Sequence, residues 1–518
     1  MRSIVLIVSL LGGLPGGALS AQDAVEVAVL SDDNWSEFVP AGKEVDAIVG
    51  DVVLRNRHVT AVIAQPTAIR HANMTVRDIG GCLIDLTTRA QPSDQLHCFY
   101  PGRREYAFRS WRVHSEHAPH DVIEVAPELH VQGPRCSVIV QAEGTADLPQ
   151  VMVEYILGVH DRALTIVTAF TNTTDAAQSV VIADDLRLDG GKEDQFRTSN
   201  GSGRMFAWAD RFWRQAYLVD SPEAELQFNS DSRTAKLTYL QGDGGKYVLA
   251  PGASHSIARH LACGASLLDA EAAVAVDHGS AATPVTLAVR DAAGKPLTNA
   301  VLEITRDGQY AGTLVTAGRA EATANMLAGQ YRVDVQFNGV SLGVQDVTVQ
   351  PVEQQQVSLL TNKFRPGSVD AAITDGDGKP VACKVEFKPQ GDAPLPSFGP
   401  ETADFSVKNL RYAPDGVFTQ SLHPGVYDVT ISHGPEYDAA FTTVTVKPGE
   451  TARLTATLPR VVDSHGWISS DFHSHASPSG DNTASQLGRV VNLLCEHIEF
   501  APCTEHNRIT TYQEHIDR

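Results

Sequence analysis

The chain has 518 residues, of which 42% are hydrophobic and 20% are charged, and this composition excludes collagen-like, coiled-coil and wholly disordered proteins. Its 62 acidic and 41 basic residues give a net charge of −21, which repels phosphate backbones and anionic lipid. We therefore expect no nucleic acid among its partners. At about 150 residues per domain, the length predicts three to four domains.

Residues 1–21 are typical of a secretory signal peptide. Arg2 precedes an apolar stretch over residues 4–14, and small and turn-forming residues follow up to Ala21. The apolar stretch is too short to span a bilayer of about 30 Å, and we predict no membrane span in the rest of the chain. A buried N-terminal strand is the alternative. We expect an exported protein, either periplasmic or extracellular.

Residues 22–270 contain short runs of β-forming residues, such as 59–64 and 164–170, which are separated by turn signals such as Asp189-Gly190-Gly191. No long amphipathic helix is evident among them. They therefore predict one large antiparallel β-sandwich. The runs 153–157 and 163–172 resemble strands of the β-supersandwich in galactose-mutarotase-like and polysaccharide-lyase domains.

An internal repeat follows. The run D-A-A-G-K-P at 291–296 recurs as D-G-D-G-K-P at 375–380, and G-Q-Y at 329–331 recurs as G-V-Y at 425–427. The common order predicts two copies of one module, at residues 280–360 and 361–460. Both copies resemble the carboxypeptidase-regulatory or prealbumin-like, immunoglobulin-like β-sandwich that bacteria place between exported catalytic domains. This resemblance implies a spacer role.

Residues 464–518 have a different character. Residues 467–475 and 500–503 are predicted strands, and an apolar stripe with helical spacing lies between them, after the candidate N-cap Thr483. The members of the stripe are Leu487, Val490, Val491, Leu494 and Ile498. A strand, a helix and a strand over about forty residues predict a right-handed parallel βαβ unit.

Polar side chains collect at the ends of both predicted strands. Asp471, His473 and His475 alternate along the first strand, so they are expected on one face. The carboxyl ends of parallel strands meet at one edge of a sheet, where ligand sites lie. Nitrogen and oxygen donors in this combination suit a divalent zinc, manganese or iron ion. The candidate metal ligands are His473, His475, Asp481, Glu505 and His506.

The runs D-F-H-S-H at 471–475 and T-E-H-N at 504–507 resemble motifs one and two of the PHP (polymerase and histidinol phosphatase) superfamily. Residues 476–482 look most like its exported CehA/McbA metallohydrolase branch, which includes carbamate hydrolases. The resemblance implies a distorted (β/α)7 barrel with up to three metals at its mouth. It implies one metal on His473 and His475, and another on Asp481 and His506.

The family usually has Thr-Asp-His where this chain has Thr504-Glu505-His506. Glu505 is therefore either a direct ligand or an outer hydrogen-bond partner that orients a ligand histidine, and Asp471 is assigned the outer role. The resemblance covers only residues 464–518, and two strands cannot close a barrel. We expect a fragment of a longer protein, with a catalytically dead truncation as the alternative. This chain alone is expected to be inert or nearly so.

Three other clusters are weaker candidates. His114, Glu116, His117 and His120 can bind a metal, but Pro119 disfavours a helix there and favours a solvated loop. The run D-G-D-G at 375–378 is similar to a calcium loop without its downstream Glu, which favours a plain turn.

An aromatic cluster is the third of these candidates. It can stack on a sugar, although a core position is favoured for such residues in a large sandwich. Its members are Phe206, Trp208, Phe212 and Trp213.

Seven cysteines show no Cys-x-x-Cys pair, and in a chain of this length they do not form a disulfide scaffold. One or two disulfide bridges remain possible, with Cys82–Cys98 as a candidate pair. The odd count leaves at least one free thiol unless it pairs between chains.

These patterns predict a mainly β, multidomain protein. It would contain a large supersandwich-like β-sandwich, two immunoglobulin/prealbumin-like β-sandwiches and the first βαβ unit of an incomplete (β/α)7 barrel. The expected function is that of an exported metal-dependent hydrolase, in which metal-activated water attacks a phosphoester, carbamate or amide in a small-molecule or ester substrate. The alternative is a secreted carbohydrate-binding or structural protein whose sandwich recognises a polysaccharide and whose C-terminus is vestigial.

Overall fold

The computed structural model describes residues 24–116, 122–188, 195–231, 233–316, 320–361, 364–506 and 509–518. The predicted signal peptide at 1–21, the turn at 189–191, His117, His120 and Asn507 lie outside these residues. The fold is mainly β and multidomain, as predicted. Within the described ranges, no helix combines the length and the apolar character that crossing a membrane requires.

The N-terminal domain is a large β-sandwich. In the parts of residues 24–264 that the structure describes, its strands in chain order are β1 (Val25–Val29), β2 (Val52–Arg55), β3 (Val59–Ile63), β4 (Leu83–Thr88), β5 (Leu96–Pro101), β6 (Ser110–Ser115), β7 (Val122–Glu124), β8 (His130–Gly133), β9 (Arg135–Ala142), β10 (Gln150–Gly158), β11 (Ala163–Thr171), β12 (Gln178–Val181), β13 (Ala183–Leu188), β14 (Gln195–Arg197), β15 (Gly201–Gly203), β16 (Met205–Asp210), β17 (Gln215–Asp220), β18 (Leu226–Ser230), β19 (Thr234–Tyr239), β20 (Lys246–Leu249) and β21 (Ser254–Gly264).

Two large sheets face each other in this domain. Among the described strands, one sheet has ten in the order β15-β18-β19-β13-β5-β4-β3-β2-β1-β8, and the other has nine in the order β14-β16-β17-β21-β11-β10-β9-β6-β7, beside the β12-β20 pair. Neighbouring strands pair antiparallel, as β11 does with β10 and β21. The prediction of one large antiparallel sandwich is confirmed.

The core of this domain lies between the two sheets. Along β10, Val151, Val153 and Tyr155 are fully buried while the residue before each of them is half-buried, which is the period-2 pattern that favours a strand. Phe206 and Trp208 are also fully buried. They therefore belong to the core, as favoured, whereas Phe212 and Trp213 are half-buried.

The structure describes four α-helices and a short 3-10 helix at Arg103–Glu105. The α-helices are α1 (Trp35–Phe38), α2 (Leu267–Asp277), α3 (Gln486–Cys495) and α4 (Gln513–Asp517). Helix α2 starts at Ser266, whose side chain accepts a hydrogen bond from the backbone N–H of Asp269. It packs against β17 and β21 on one side and against the first repeat module on another. Because several faces of α2 are buried, its sequence lacks the alternation of an apolar and a polar face by which a surface helix is recognised.

Both repeat copies are separate β-sandwiches, as predicted. The described strands of the first module are β22 (Ala282–Arg290), β23 (Ala300–Arg306), β24 (Gln309–Val315), β25 (Glu321–Leu327), β26 (Gly329–Phe337), β27 (Val340–Val349) and β28 (Gln355–Leu360). Those of the second are β29 (Gly367–Asp375), β30 (Cys383–Pro389), β31 (Ser406–Val407), β32 (Leu410–Ala413), β33 (Val417–Leu422), β34 (Gly425–Ser432), β35 (Ala440–Val446) and β36 (Thr451–Leu458).

The two modules share their topology. The first has sheets β25-β22-β28 and β24-β23-β26-β27, and the second has β33-β29-β36 and β31-β32-β30-β34-β35. In each module the first and last strands pair in parallel. The hydroxyls of Tyr331 and Tyr427 each donate to the carbonyl four residues earlier, at 2.9 Å.

The repeated D-x-x-G-K-P turn is also the same in both copies. The Asp291 carboxylate accepts hydrogen bonds from the backbone N–H groups of Ala293 and Lys295 at 2.8 Å, and Asp375 accepts from Asp377 and Lys379 at 2.9 Å. The D-G-D-G run at 375–378 is therefore a turn stabilised by its own aspartate, as favoured.

The candidate bridge between Cys82 and Cys98 is not formed, and all seven cysteines are free thiols. Burial, together with a hydrogen bond to Cys82, raises the pKa of the Cys98 thiol. A buried thiol that stays protonated is a poor nucleophile, so Cys98 acts as a small core residue.

The predicted strands of the βαβ unit are wrong. Residues 467–475 and 500–503 form no regular strand and meet at only two parallel bridges, Ser470–Phe500 and Ser474–Cys503. Trp467, Ile468 and Phe472 are exposed. Without burial of such apolar side chains, little stabilises a pleated strand here, although the parallel direction is as predicted.

Candidate metal centre

Helix α3 anchors the C-terminal segment on the second module. Leu487, Val491 and Cys495 lie on one face and pack against Ala382, Phe405 and Tyr412. The Lys384 ammonium forms an ion pair with Glu496, just past the helix. Leu494 is 45% exposed, so it does not belong to the buried stripe that the sequence predicted.

The N-cap of this helix is Ser485 rather than the predicted Thr483. The Ser485 hydroxyl accepts a hydrogen bond from the backbone N–H of Gly488 and donates to the Asp404 carboxylate of the second module. On another face, Val490 and Leu493 pack against Ala476 and Tyr512. The helix thus connects the module to the loops that carry the polar cluster.

Two chain segments run side by side next to the helix. Ser474 accepts a hydrogen bond from the backbone N–H of Thr504 at 3.0 Å, and its own N–H donates to the Thr504 hydroxyl at 2.9 Å. The Ser474 and Tyr512 hydroxyls are hydrogen-bonded at 3.1 Å. This pairing sets His475 beside residues 505 and 506.

Glu505 holds the loop that follows His475. Its carboxylate accepts hydrogen bonds from the backbone N–H of Ala476 at 3.0 Å and from the Ser479 hydroxyl at 2.5 Å. The Ser479 hydroxyl in turn accepts from the backbone N–H of His506 at 2.8 Å. Both carboxylate oxygens of Glu505 therefore hold the loop after His475 in place, and none of these hydrogen bonds is made to a histidine ring.

Three side chains converge on one point. His475 Nδ1 lies 3.2 Å from Asp481 Oδ1, and His506 Nε2 lies 3.2 Å from Asp481 Oδ2. The two imidazole rings are nearly perpendicular, with centroids 4.6 Å apart. All three ligand atoms lie within 4.8 Å of one another. We call these three residues the C-terminal cluster.

Partial burial raises the pKa of Asp481, but the hydrogen bond from His475 and the neighbouring His506 imidazole outweigh this effect, so the net pKa is lowered. Asp481 is therefore ionised at neutral pH. The Arg489 guanidinium donates to the His475 carbonyl at 2.7 Å and holds that residue in place. Asp481 and His506 are exposed, whereas His475 is mostly enclosed.

His473 lies next to this cluster. Its ring centroid is 4.7 Å from that of His475, and its side chain is exposed. Asp471 Oδ1 accepts a hydrogen bond from the His473 backbone N–H at 2.9 Å, so this carboxylate supports a local turn. The structure thus groups His475 with Asp481 and His506, with His473 adjacent and with Glu505 and Asp471 in supporting positions.

The donor set fits a divalent transition metal. Two imidazole nitrogens and one carboxylate oxygen suit zinc, manganese or iron. In a tetrahedral site with bonds of about 2.1 Å, two ligand atoms lie about 3.4 Å apart. The two separations of 3.2 Å are close to that spacing, and each imidazole approaches a different oxygen of the Asp481 carboxylate.

Sequence reasoning missed several residues that matter. Ser479 and Arg489 position the C-terminal cluster, but a serine in a polar loop and an arginine on a helix give no distinctive signal. A second group of metal-type side chains, Asp220, His260 and His278, lies in the N-terminal domain and is spread over two strands and a helix end. Of the candidate loop site at 114–120, the structure describes His114, in β6, and Glu116.

No protein-family model and no curated protein matches the chain. Among solved structures, it is similar in part to a TPR-domain containing protein from Parabacteroides distasonis, with 16% identity over 43% of this chain and 48% of that chain and a TM-score of 0.31.

Two further solved structures resemble parts of the chain. GBS52, the minor pilin of Streptococcus agalactiae, has 18% identity over 35% of this chain and 97% of that one, with a TM-score of 0.18. A galactose mutarotase-like protein from Lactobacillus casei has 10% identity over 41% of this chain and 100% of that chain, with a TM-score of 0.24. The chain spans about half the length of the Parabacteroides protein, and 56% of the length of the Bacillus anthracis TIE protein, which it also resembles in part.

Proposed function

We propose that His475, Asp481 and His506, with His473 beside them, form a divalent metal centre of an exported hydrolase of the PHP type. The observation that carries this proposal is the convergence of three ligand atoms within 4.8 Å from three separate loop positions. Two hydrogen bonds support the cluster, from the backbone N–H of Ala476 to Glu505 and from Arg489 to the His475 carbonyl, and they hold the loop positions that bring the three side chains together.

Bound there, zinc, manganese or iron would supply a Lewis acid and lower the pKa of water for attack on a phosphoester, carbamate or amide. The chain's own residues contribute a prepared site. Asp481 is already ionised at neutral pH, so it need not release a proton when a metal binds. The exposed side chains of His473 and His506 leave room for a small-molecule or ester substrate to approach.

Metal binding is tested on the full chain by measuring zinc content after dialysis. The double variant His475→Ala/His506→Ala should hold one zinc ion fewer per chain than the wild type. His465→Ala is the matched control, because His465 is an exposed histidine in the same segment and lies outside the cluster. Equal zinc content in the double variant and the control would contradict the proposal.

Catalysis is tested on the protein with nitrophenyl phosphate, carbamate and amide substrates. We expect metal-dependent hydrolysis of at least one class, which the double variant loses and His465→Ala keeps. Activity that survives in the double variant would assign catalysis elsewhere. The rival function, polysaccharide recognition, no longer has Phe206 and Trp208 as a stacking surface, since both are buried.

A further inference from the structure

A second cluster of metal-type side chains lies in the N-terminal domain, far along the chain from the first. Asp220 ends β17, and His260 lies directly opposite it in β21. His278 directly follows α2, as its C-cap residue. We call Asp220, His260 and His278 the N-terminal cluster.

The three ligand atoms form a nearly equilateral triangle. Asp220 Oδ2 lies 3.5 Å from His260 Nδ1 and 3.6 Å from His278 Nε2. The two nitrogens are 3.2 Å apart. Because ligand atoms of a tetrahedral zinc ion lie about 3.4 Å apart, one ion can reach all three at about 2.1 Å.

One oxygen of the Asp220 carboxylate has no hydrogen bond from any residue that the structure describes. Within the described residues, Asp220 Oδ2 is buried and makes no hydrogen bond, and its polar neighbours are the two imidazoles. A buried carboxylate oxygen in this position is unfavourable unless a cation or a donor satisfies it. A metal ion would do so, and it would take the place of the hydrogen bond that now joins the two imidazole nitrogens at 3.2 Å.

The end of α2 adds to the attraction for a cation. This helix has 11 residues, and the carbonyl end of a helix carries partial negative charge. The adjacent Asp277 carboxylate accepts hydrogen bonds from the backbone N–H groups of Arg162 and Ala163, which fixes the helix end beside β11. The side chain of His278 is 39% exposed, so solvent reaches the site from that side.

The position of α2 indicates what such an ion would do. The Glu271 carboxylate forms an ion pair with Arg306, and Asp269 accepts a hydrogen bond from the backbone N–H of Asn325 at 2.9 Å. Both partners belong to the first module. The helix therefore lies between the N-terminal sheet and that module, and a metal at its end would hold it to the sheet.

We propose that Asp220, His260 and His278 bind one divalent cation of the zinc class, with a fourth position open to solvent. The ion fastens the end of α2 to β17 and β21 and so stabilises the junction between the N-terminal domain and the first module. This site is separate from the C-terminal cluster and does not depend on the proposed hydrolase function.

The test uses the full chain carrying His475→Ala/His506→Ala, so that zinc at the C-terminal cluster is removed from the measurement. Titration calorimetry with zinc should show one site in this background. Adding His278→Ala should weaken zinc binding about 100-fold or more, because losing a direct ligand costs at least as much as losing an outer partner. His465→Ala, added instead, should leave the affinity unchanged.

Folding and binding are separated by a second readout. Because His278 is partly exposed at a helix end, His278→Ala should match the background protein in metal-free thermal unfolding. Zinc should raise the unfolding temperature of the background protein and not that of the His278→Ala variant. The proposal is overturned if the background protein binds no zinc, or if adding His278→Ala leaves zinc affinity unchanged.

Discussion

The N-terminal domain and the C-terminal segment place similar polar groups in opposite surroundings. Asp220 and Asp481 each face two imidazoles, yet the side chain of Asp220 is 10% exposed and that of Asp481 is 54% exposed. Asp220 is held by the register of two long strands, whereas Asp481 lies on a loop that Glu505 and Ser479 hold together. A site on sheet strands is stable without local support, and a loop site depends on its hydrogen-bonded neighbours.

Among variants that leave the proposed metal ligands intact, Glu505→Ala should have the largest effect. Removing this carboxylate leaves the backbone N–H of Ala476 and the Ser479 hydroxyl without their acceptor, which loosens the loop that carries Asp481. We expect zinc affinity at the C-terminal cluster to fall about 10–100-fold. Calorimetry in a His260→Ala/His278→Ala background measures that site alone.

Glu505→Gln is the matched control for this change, because it keeps one oxygen acceptor and should lose less affinity than Glu505→Ala. The zinc affinity of the N-terminal cluster, measured in the His475→Ala/His506→Ala background, should not change on Glu505→Ala. An equal loss of zinc affinity at both clusters would mean that the two regions are not independent.

A smaller effect is expected where α3 packs on the second module. Val491 is buried against that module, so Val491→Ala should destabilise the docked segment by about 1–2 kcal/mol. Leu494→Ala changes an exposed residue of the same helix and should cost about 0.5 kcal/mol or less. Hydrogen exchange of the α3 amides measures both.

The result that tests the packing is which of the two variants accelerates hydrogen exchange in α3 more. If Leu494→Ala accelerated exchange more than Val491→Ala, the buried face of α3 would have to be reassigned. Exchange in β10 and β11 should be unchanged in both variants, because α3 packs on the second module and contributes no residue to the described core of the N-terminal domain.

The smallest effect concerns pH and two carboxylates with opposite shifts. Burial, and next the neighbouring Asp46 carboxylate, raise the pKa of Asp85, and Asp51 adds to this while Arg70 opposes it. The folded state thus holds this proton more tightly than the unfolded state. The contribution of Asp85 to stability is therefore present below the unfolded pKa of about 3.9 and is lost as pH rises towards the folded pKa.

Asp85→Asn should therefore raise the unfolding temperature of the N-terminal domain at pH 8 and change it little at pH 4. Tryptophan fluorescence reports this domain, since Trp467 alone of the five tryptophans lies outside it. Asp481, with its lowered pKa, contributes stability above its unfolded pKa that is lost as pH falls through the folded value. A destabilised Asp85→Asn at pH 8 would show that Asp85 is ionised in the folded state.

Local patterns predicted much of the fold. Period-2 alternation identified the sandwich strands, and the D-x-x-G-K-P turn identified two modules because the same aspartate caps the same turn in each. The predictions that failed concern segments whose structure depends on contacts with residues far away in the chain. Helix α2 is buried on several faces and lacks an amphipathic pattern, and residues 467–475 form no strand because their apolar side chains stay exposed.

By itself, the sequence determined the two repeat modules, the β-rich N-terminal domain and the residues from which a C-terminal metal centre can be assembled, because these depend on neighbours within a few positions. The tertiary structure alone decided that His475 lies with Asp481 and His506, rather than only with His473, and that Asp220 meets His260 and His278. Such contacts depend on strand register and on loop hydrogen bonds between residues far apart in the chain, which no local pattern records.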